Sequence, residues 1–243
     1  MPITDFKLEY KSVNENKDGV PVVIVAAGSS SRMQGKNKIF SLIGGIPLIA
    51  RTMLAFERSK YISEIIVVTK EENIADIRKA AGEFMITKLS AVTKGGSDRL
   101  KSVLNGLEII ENAHGVLVHD GARPFVSEAV IERLVNAVKD FPCTVCAVKL
   151  KDTVKQRSSD NVKTLDRNSL YAVQTPQAFD FNKYKELSKN CENTCDFTDD
   201  ASVMENAGYN TNIVEGEECN IKITTPFDLI IAESIIKENP LCE

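Results

Sequence analysis

The sequence predicts an α/β fold: a Rossmann-like, mostly parallel sheet flanked by helices, with one protruding β-hairpin arm. Three observations predict it. The strands read as continuous apolar runs, such as VPVVIVA (Val20–Ala26) and EIIVVT (Glu64–Thr69), as expected of strands buried on both faces. Segments with apolar residues at helical spacing separate them. The residues just past several strands are small or charged, and in such sheets ligands bind beyond the carboxyl ends of the strands.

The elements follow in order. After the strand Val20–Ala26, Pro47–Phe56 reads as a helix that gathers Leu48, Ile49, Met53, Leu54 and Phe56 towards one side. Glu64–Thr69 is the next strand and Ile74–Ala81 the next helix, ending before Gly82. Met85–Leu89 reads as a weaker strand. In Asp98–Ile110, Leu100, Val103, Leu104, Leu107 and Ile110 fall at helical spacing. Gly115–His119 (GVLVH) is a strand, Ser127 caps a helix bearing Val130, Ile131, Leu134, Val135 and Val138, and Thr144–Val148 is a strand. The rhythm then breaks. Lys151–Tyr171 alternates polar and apolar residues around Ser158-Ser159-Asp160-Asn161, which predicts a hairpin too polar for the core. Two strands alone are marginal, so the hairpin is expected to pack on another chain; a solvated surface loop is the alternative. A short helix (Thr198–Asn206, closed by Gly208), strands at Thr211–Val214 and Asn220–Thr224, and a helix over Asp228–Lys237 complete the chain. Thr225, Pro226 and Asp228 supply that last helix with its cap, first residue and first-turn acid.

Composition bounds the function. The 243 residues are 43% apolar, enough for a substantial core. Lys plus Arg number 30 against 34 Asp plus Glu, so a globally basic nucleic-acid binder is not expected, while a local basic site is allowed. No apolar run approaches the ~18–20 residues of a membrane span. Residues 1–19 are polar and lack the apolar segment of a signal peptide; they read as a leader, residues 20–243 as a single domain, and the protein as cytoplasmic. The six cysteines include the spacings Cys143-Thr-Val-Cys146 and Cys191-Glu-Asn-Thr-Cys195. Such spacings fit either a zinc site or free thiols. On a strand, residues three apart face opposite sides, so free thiols are the better reading.

The chemistry gathers in the strand-end loops. Ala26-Ala27-Gly28-Ser29-Ser30-Ser31-Arg32-Met33 is neither G-x-G-x-x-G nor a P-loop. Its small residues still let backbone N–H groups approach a phosphate or a base, and Arg32, Lys36 and Lys38 add charge that would stabilise phosphoryl or nucleotidyl transfer. Lys94-Gly95-Gly96-Ser97-Asp98-Arg99 runs into a helix carrying Ser102; it offers donors to an anion or, read blandly, a helix cap on Ser97. In His119-Asp120-Gly121-Ala122-Arg123-Pro124, Asp120 is placed to hold Mg²⁺, whereas His119 is read as packed rather than catalytic. Two further segments are Asp166-Arg167-Asn168 with Gln174-Thr175-Pro176-Gln177, and the presumed strand Asn220–Thr224, in which Lys222 shares a face with Asn220 and Thr224 and needs an anion or water. No nucleophile elbow, Ser/His/Asp order or H-E-x-x-H supports a hydrolase or metalloprotease.

Taken together, AAGSSSRM with its following Lys, GGSDR with its following Ser, HDGARPF, TLDRNSLYAVQTPQAF and NIKITTPFDL resemble the 2-C-methyl-D-erythritol 4-phosphate cytidylyltransferase family of the non-mevalonate isoprenoid route, over about Val20–Ile236. The resemblance implies condensation of CTP with the phosphate of methylerythritol phosphate, giving the CDP-linked alcohol and pyrophosphate with Mg²⁺, in a homodimer. It implies cytidine contacts at Ala26, Ala27, Gly28, Gly96, Ser97 and Ser102. Arg32 and Lys38 match the basic pair at the α-phosphate, and Asp120 the acid near metal and nucleotide. Thr153 and Arg167 match arm residues that reach the neighbouring subunit's sugar phosphate, and Thr175 and Lys222 further substrate-side positions. The implied step is in-line attack on the α-phosphorus without a covalent enzyme intermediate. Two features depart from the pattern. The Arg32–Lys38 interval is short with Lys36 inside it, so either lysine could serve; Lys38 is selected because it precedes Ile39-Phe40. The leader is also longer than usual.

Three alternatives remain. The sister family acting on ribitol 5-phosphate shares fold and chemistry, but TLDRNSLYAVQTPQAF and FTDDASVM look more like the methylerythritol enzyme. A non-catalytic nucleotide-binding module would be expected to lack Arg32, Lys38 or Lys222. A sugar-nucleotide glycosyltransferase would be expected to carry an acidic pair after the strand ending at His119, and none follows it.

Overall fold

The computed structural model describes residues 19–28, 38–159, 161–191, 197 and 199–238. The leader up to residue 18, Arg32, Lys36 and Cys195 lie outside them.

A seven-stranded sheet in the order β11-β7-β10-β6-β1-β4-β5 forms the frame. Its strands are β1 (Val20–Val25), β4 (Ile62–Thr69), β5 (Leu89–Lys94), β6 (Gly115–Asp120), β7 (Cys143–Lys149), β10 (Tyr171–Asp180) and β11 (Asn212–Glu215). β6, β1, β4 and β5 run parallel, β11 runs parallel to β7, and β10 is antiparallel to both its neighbours. The mostly parallel sheet expected from the unbroken apolar runs is present.

Those runs are unbroken because both faces are covered. In β1, Val22 and Ile24 face a layer with Met53 and Phe56 of α1 (Leu48–Glu57), Ile77 of α2 (Ile74–Glu83) and Ile131 of α4 (Glu128–Ala137). Val23 faces the opposite layer, built from Leu100, Val103 and Leu107 of α3 (Arg99–Leu107), Phe181 and Tyr184 of α5 (Phe181–Lys189) and Met204 of α6 (Ala201–Asn206). A third cluster joins Ile43 and Leu48 to Ile223, Ala232 and Ile236, the last two on α7 (Pro226–Glu238). Ile43 belongs to a short ribbon, β2 (Leu42–Ile43) with β3 (Ile46–Pro47), which the buried Arg51 holds by donating from Nε to Ile43 O at 2.6 Å. Among the described residues no helix is long and apolar enough to cross a membrane.

Several elements differ from the sequence expectation. Met85–Leu89 is not a strand: Met85 is exposed with φ +53°, and the strand begins at Leu89 and carries Ala91 and Val92 beside Ile66 and Val67. Helix α2 continues through Gly82 to Glu83. Asn220–Thr224 is irregular rather than a strand; Ile223 N donates to Ala122 O, and Asn220 and Ile223 are fully buried while Lys222 is exposed, so Asn220 and Lys222 do not share an environment. Gln174–Gln177 is not a loop but the middle of β10, a strand not anticipated, as was α5. The pairing of β10 with β7 is interrupted between Val173 and Gln177, around Pro176.

The hairpin lies within the expected segment, as β8 (Lys155–Ser158) paired antiparallel to β9 (Asn161–Thr164). Every residue of both strands is exposed. Cys143 and Cys146 are buried in opposite core layers of β7, the geometry that argued against chelation.

Candidate active site

A cleft of about 520 Å³ opens at the carboxyl ends of β1 and β6. Residues from five separate stretches line it: Ala26–Gly28, Lys38, Gly96–Arg99 with Ser102, Asp120, and Lys222. The switch from parallel β1 and β6 to antiparallel β10 lies beside it.

The first wall is the chain leaving β1. Ala26 N donates to Val68 O at 2.7 Å, which carries the strand pairing up to the turn. Nothing among the described residues lies within 4 Å of where a Gly28 side chain would begin, so that backbone is open to a ligand. Lys38 starts a 3₁₀ turn, Lys38–Phe40, and Nζ donates to Ile223 O at 3.1 Å. Arg32 and Lys36, the other basic candidates, lie outside the described residues.

The second wall is the β5–α3 loop. A Cβ on Gly95 would sit 2.6 Å from that of Ala27, so only glycine lets the two walls approach so closely. Gly96 N donates to Ser102 Oγ at 3.0 Å, and Ser102 Oγ donates to Asp98 O at 2.7 Å. The helix cap is Asp98 rather than Ser97: Asp98 Oδ1 accepts from Lys101 N at 2.9 Å, and Ser97 Oγ donates to Asp98 Oδ2. Asp has the second oxygen needed to bind both donors.

The floor is a set of charges gathered on the buried Asp120 and Asp200. Asp120, whose side chain is 9% exposed, receives Arg99 Nη1 on Oδ1 at 2.7 Å and Lys222 Nζ on Oδ2 at 2.7 Å. Burial opposes ionisation of Asp120, but Arg99 and Lys222 outweigh it and hold the carboxyl well below the usual carboxylate range. Arg99 also donates from Nη2 to Asp200 Oδ2 at 2.6 Å. Asp200 is fully buried and has no lysine of its own, so burial raises its pKa. Behind Asp120, its N–H donates to Thr175 Oγ1 at 3.0 Å, and Thr175 Oγ1 lies 3.1 Å from His119 Nδ1. His119 is fully buried, with Nε2 2.9 Å from Arg123 O and its ring edge-on to Phe56. Burial lowers its pKa to about 4, so it is a neutral packed residue.

The structure thus brings Ala26, Ala27, Gly28, Lys38, Gly96, Ser97, Ser102, Asp120 and Lys222 to one cleft. It does not bring Thr153, Arg167 or Thr175 there. Thr153 and Arg167 are exposed at the arm, where Arg167 Nη1 donates to Lys151 O at 2.8 Å. Thr175 is buried, with its hydroxyl engaged by the Asp120 N–H and His119 behind the cleft. Arg99 and Asp200 were missed. The sequence carries no local signal for the pair, because an Asp at a helix start reads as an ordinary cap and its arginine lies 101 residues away.

The family model described as 2-C-methyl-D-erythritol 4-phosphate cytidylyltransferase matches residues 20–238. Relatives of that description from Bacillus velezensis and Halalkalibacterium halodurans are 46% and 41% identical, each over 89% of this chain and 95% and 96% of their own lengths. The 4-diphosphocytidyl-2C-methyl-D-erythritol synthase structure from Anaerococcus prevotii superposes with a TM-score of 0.80 at 30% identity, covering 90% of this chain and 96% of its own. The Thermus thermophilus cytidylyltransferase structure gives 0.74 at 31% identity, covering 90% and 99%. With the family model matched over residues 20–238 and relatives above 40% identical over most of their length, the chain belongs to the 2-C-methyl-D-erythritol 4-phosphate cytidylyltransferase family.

Proposed function

We infer that the chain is a cytidylyltransferase that joins CTP to 2-C-methyl-D-erythritol 4-phosphate, releasing pyrophosphate and forming 4-diphosphocytidyl-2-C-methyl-D-erythritol, a step of non-mevalonate isoprenoid precursor synthesis. The observation that carries the reading is the convergence of the small-residue turn Ala26–Gly28, the Gly96–Ser97 loop, Lys38 and the Asp120–Lys222 pair on one cleft. A sugar-phosphate oxygen attacks the α-phosphorus of CTP, a new P–O bond forms, and the α–β bridging oxygen leaves with pyrophosphate. Backbone groups of Ala26, Ala27, Gly28 and Gly96, with Ser97 and Ser102, hold the cytidine. Lys38 and Arg32 meet the charge that builds on the α-phosphate, and Lys222 meets the acceptor phosphate.

We assign Mg²⁺ to Asp120. A single buried, ionised carboxylate beside a cleft suits an ion that keeps waters and takes its other ligands from substrate phosphates. Asp120 Oδ1 is paired with Arg99 and Oδ2 with Lys222 and, at 3.7 Å, Arg123 Nε; Oδ1 has a second lone pair to offer. Bound there, the cation would neutralise charge on the nucleotide phosphates.

Thr153 and Arg167 belong, in this reading, to the acceptor site of a second copy, because neither lines the cleft of its own chain. The homodimer forms through the arm at about residues 151–171. We place the protein in the cytoplasm, in keeping with a sequence whose six cysteines do not make a disulfide framework.

The test is pyrophosphate release from CTP and Mg²⁺ with methylerythritol phosphate as acceptor. Release is expected. Release only with ribitol 5-phosphate would move the assignment to the sister chemistry, and none with either acceptor would leave a binding module.

A further inference from the structure

We propose that Asp200, itself fixed by Tyr184, is a positioning residue for the transfer: it holds one arm of the Arg99 guanidinium so that only the other arm reaches Asp120. This rests on the cytidylyltransferase reading above. An arginine fork facing a carboxylate ordinarily takes both oxygens in a bidentate pair. Here the fork is split. Nη1 goes to Asp120 Oδ1 at 2.7 Å and Nη2 to Asp200 Oδ2 at 2.6 Å. The split leaves Asp120 Oδ2 to Lys222 at 2.7 Å. Without Asp200, Arg99 would be drawn onto both oxygens of Asp120 and would compete with Lys222.

Asp200 is well built for such a task and does not line the cleft. Its side chain is 2% exposed, and Oδ1 accepts from Tyr184 OH at 3.0 Å. Tyr184 is fully buried and stacked on Phe179, with ring centroids 4.1 Å apart. The next residue is tied as well: Ala201 N donates to Gln177 Oε1 at 3.0 Å, which ties the start of α6 to β10. A buried carboxylate is costly unless paired, so these ties fix where Arg99 can go.

Asp200→Ala and Asp200→Asn separate this role from simple structural support. Each is assayed for pyrophosphate release per folded molecule, with folding followed by near-UV circular dichroism. Asp200→Ala is expected to lower kcat by on the order of 10²-fold, the scale of a misplacement that originates away from the reacting atoms. Asp200→Asn keeps an oxygen for Arg99 Nη2 and is expected to recover most of that loss. Combined with Arg99→Lys, Asp200→Ala is expected to add less than its separate effect, because the two residues act as one unit. Wild-type turnover in both variants, or an equal loss in both, would overturn the proposal. If Asp200→Ala does not fold, Tyr184→Phe, which keeps the ring stacking and removes the hydroxyl, is expected to lower kcat about 2- to 5-fold; no change would overturn it. Failure of the wild-type protein to release pyrophosphate would instead count against the functional reading.

Discussion

The cleft floor and the arm handle charge in opposite ways. At the floor, the buried Asp120 and Asp200 gather the half-buried Arg99 and the exposed Lys222, and each has its counter-charge within 2.7 Å. On the arm, all of β8 and β9 is exposed, and the one long-range tie from Arg167 is to the carbonyl of Lys151 on the arm itself. The floor is complete within one chain. The arm residues Thr153 and Arg167 do not line the cleft of their own chain. The difference teaches that charges gathered within one chain fix one another, whereas the charges of the exposed arm are left open to whatever meets them.

Lys222→Ala attacks the floor directly and carries the largest expected effect. It removes the cation paired with the buried Asp120 at the cleft where charge develops, so turnover should fall about 10²–10³-fold. The loss should be greater for the sugar phosphate than for CTP. Measured KM values and CTP binding by calorimetry would check this, and equal losses for both substrates would detach Lys222 from the acceptor.

Arg167→Ala is the matching change on the arm. An exposed guanidinium that meets a phosphate across an interface should cost about tenfold in kcat/KM for the sugar phosphate, as a charge-assisted hydrogen bond does. CTP affinity and the unfolding midpoint should stay at wild-type values. Mixing Arg167→Ala chains with Lys222→Ala chains sharpens the comparison. If the arm serves its partner's cleft, the mixed dimer holds one site with both lesions and one with neither, and activity reappears at about half per dimer.

Gly95→Ala tests how closely the two cleft walls approach. The new Cβ would lie 2.6 Å from that of Ala27, so the loops must part. Overpacking of this kind costs about 1–3 kcal/mol. A lower melting temperature with weaker CTP binding is expected; unchanged values for both would mean that the walls are not held by this contact.

Much of this was legible in the sequence, for reasons that can be located. β1, β4 and β6 were read closely because strands covered on both faces spell themselves out as apolar runs. The cleft loops were legible because small residues followed by charge, at strand ends, leave few other uses. β10 was not, since Gln174, Thr175, Pro176 and Gln177 look like a loop; the polar side chains are buried there because they bind Asn220, Glu217, Asp120 and Asp199 across the sheet end. Lys222 was found, but on a strand that does not exist: its place is set by the bond from Ile223 N to Ala122 O rather than by sheet pairing. Asp200 was hidden because its meaning depends on Arg99, which precedes it by 101 residues. A long-range ion pair leaves no periodicity in the chain.

The smallest expected effect on the single chain is the most informative about the arm. Val162 is the apolar side chain that β9 exposes, at 59% of its full surface. Nothing in its own chain is stabilised by that exposure, so Val162→Lys should shift intrinsic stability by no more than about 0.5 kcal/mol, as surface substitutions do. In a dimer built through the arm, the same lysine would be forced against the partner and would carry an unpaired charge into contact. The dimer should therefore weaken while each chain keeps its fold, and activity should become dependent on protein concentration. Sedimentation velocity beside activity across a dilution series measures both. A dimer of wild-type strength would place the interface elsewhere, and a monomer with undiminished activity would show that the arm's residues are not needed at any cleft.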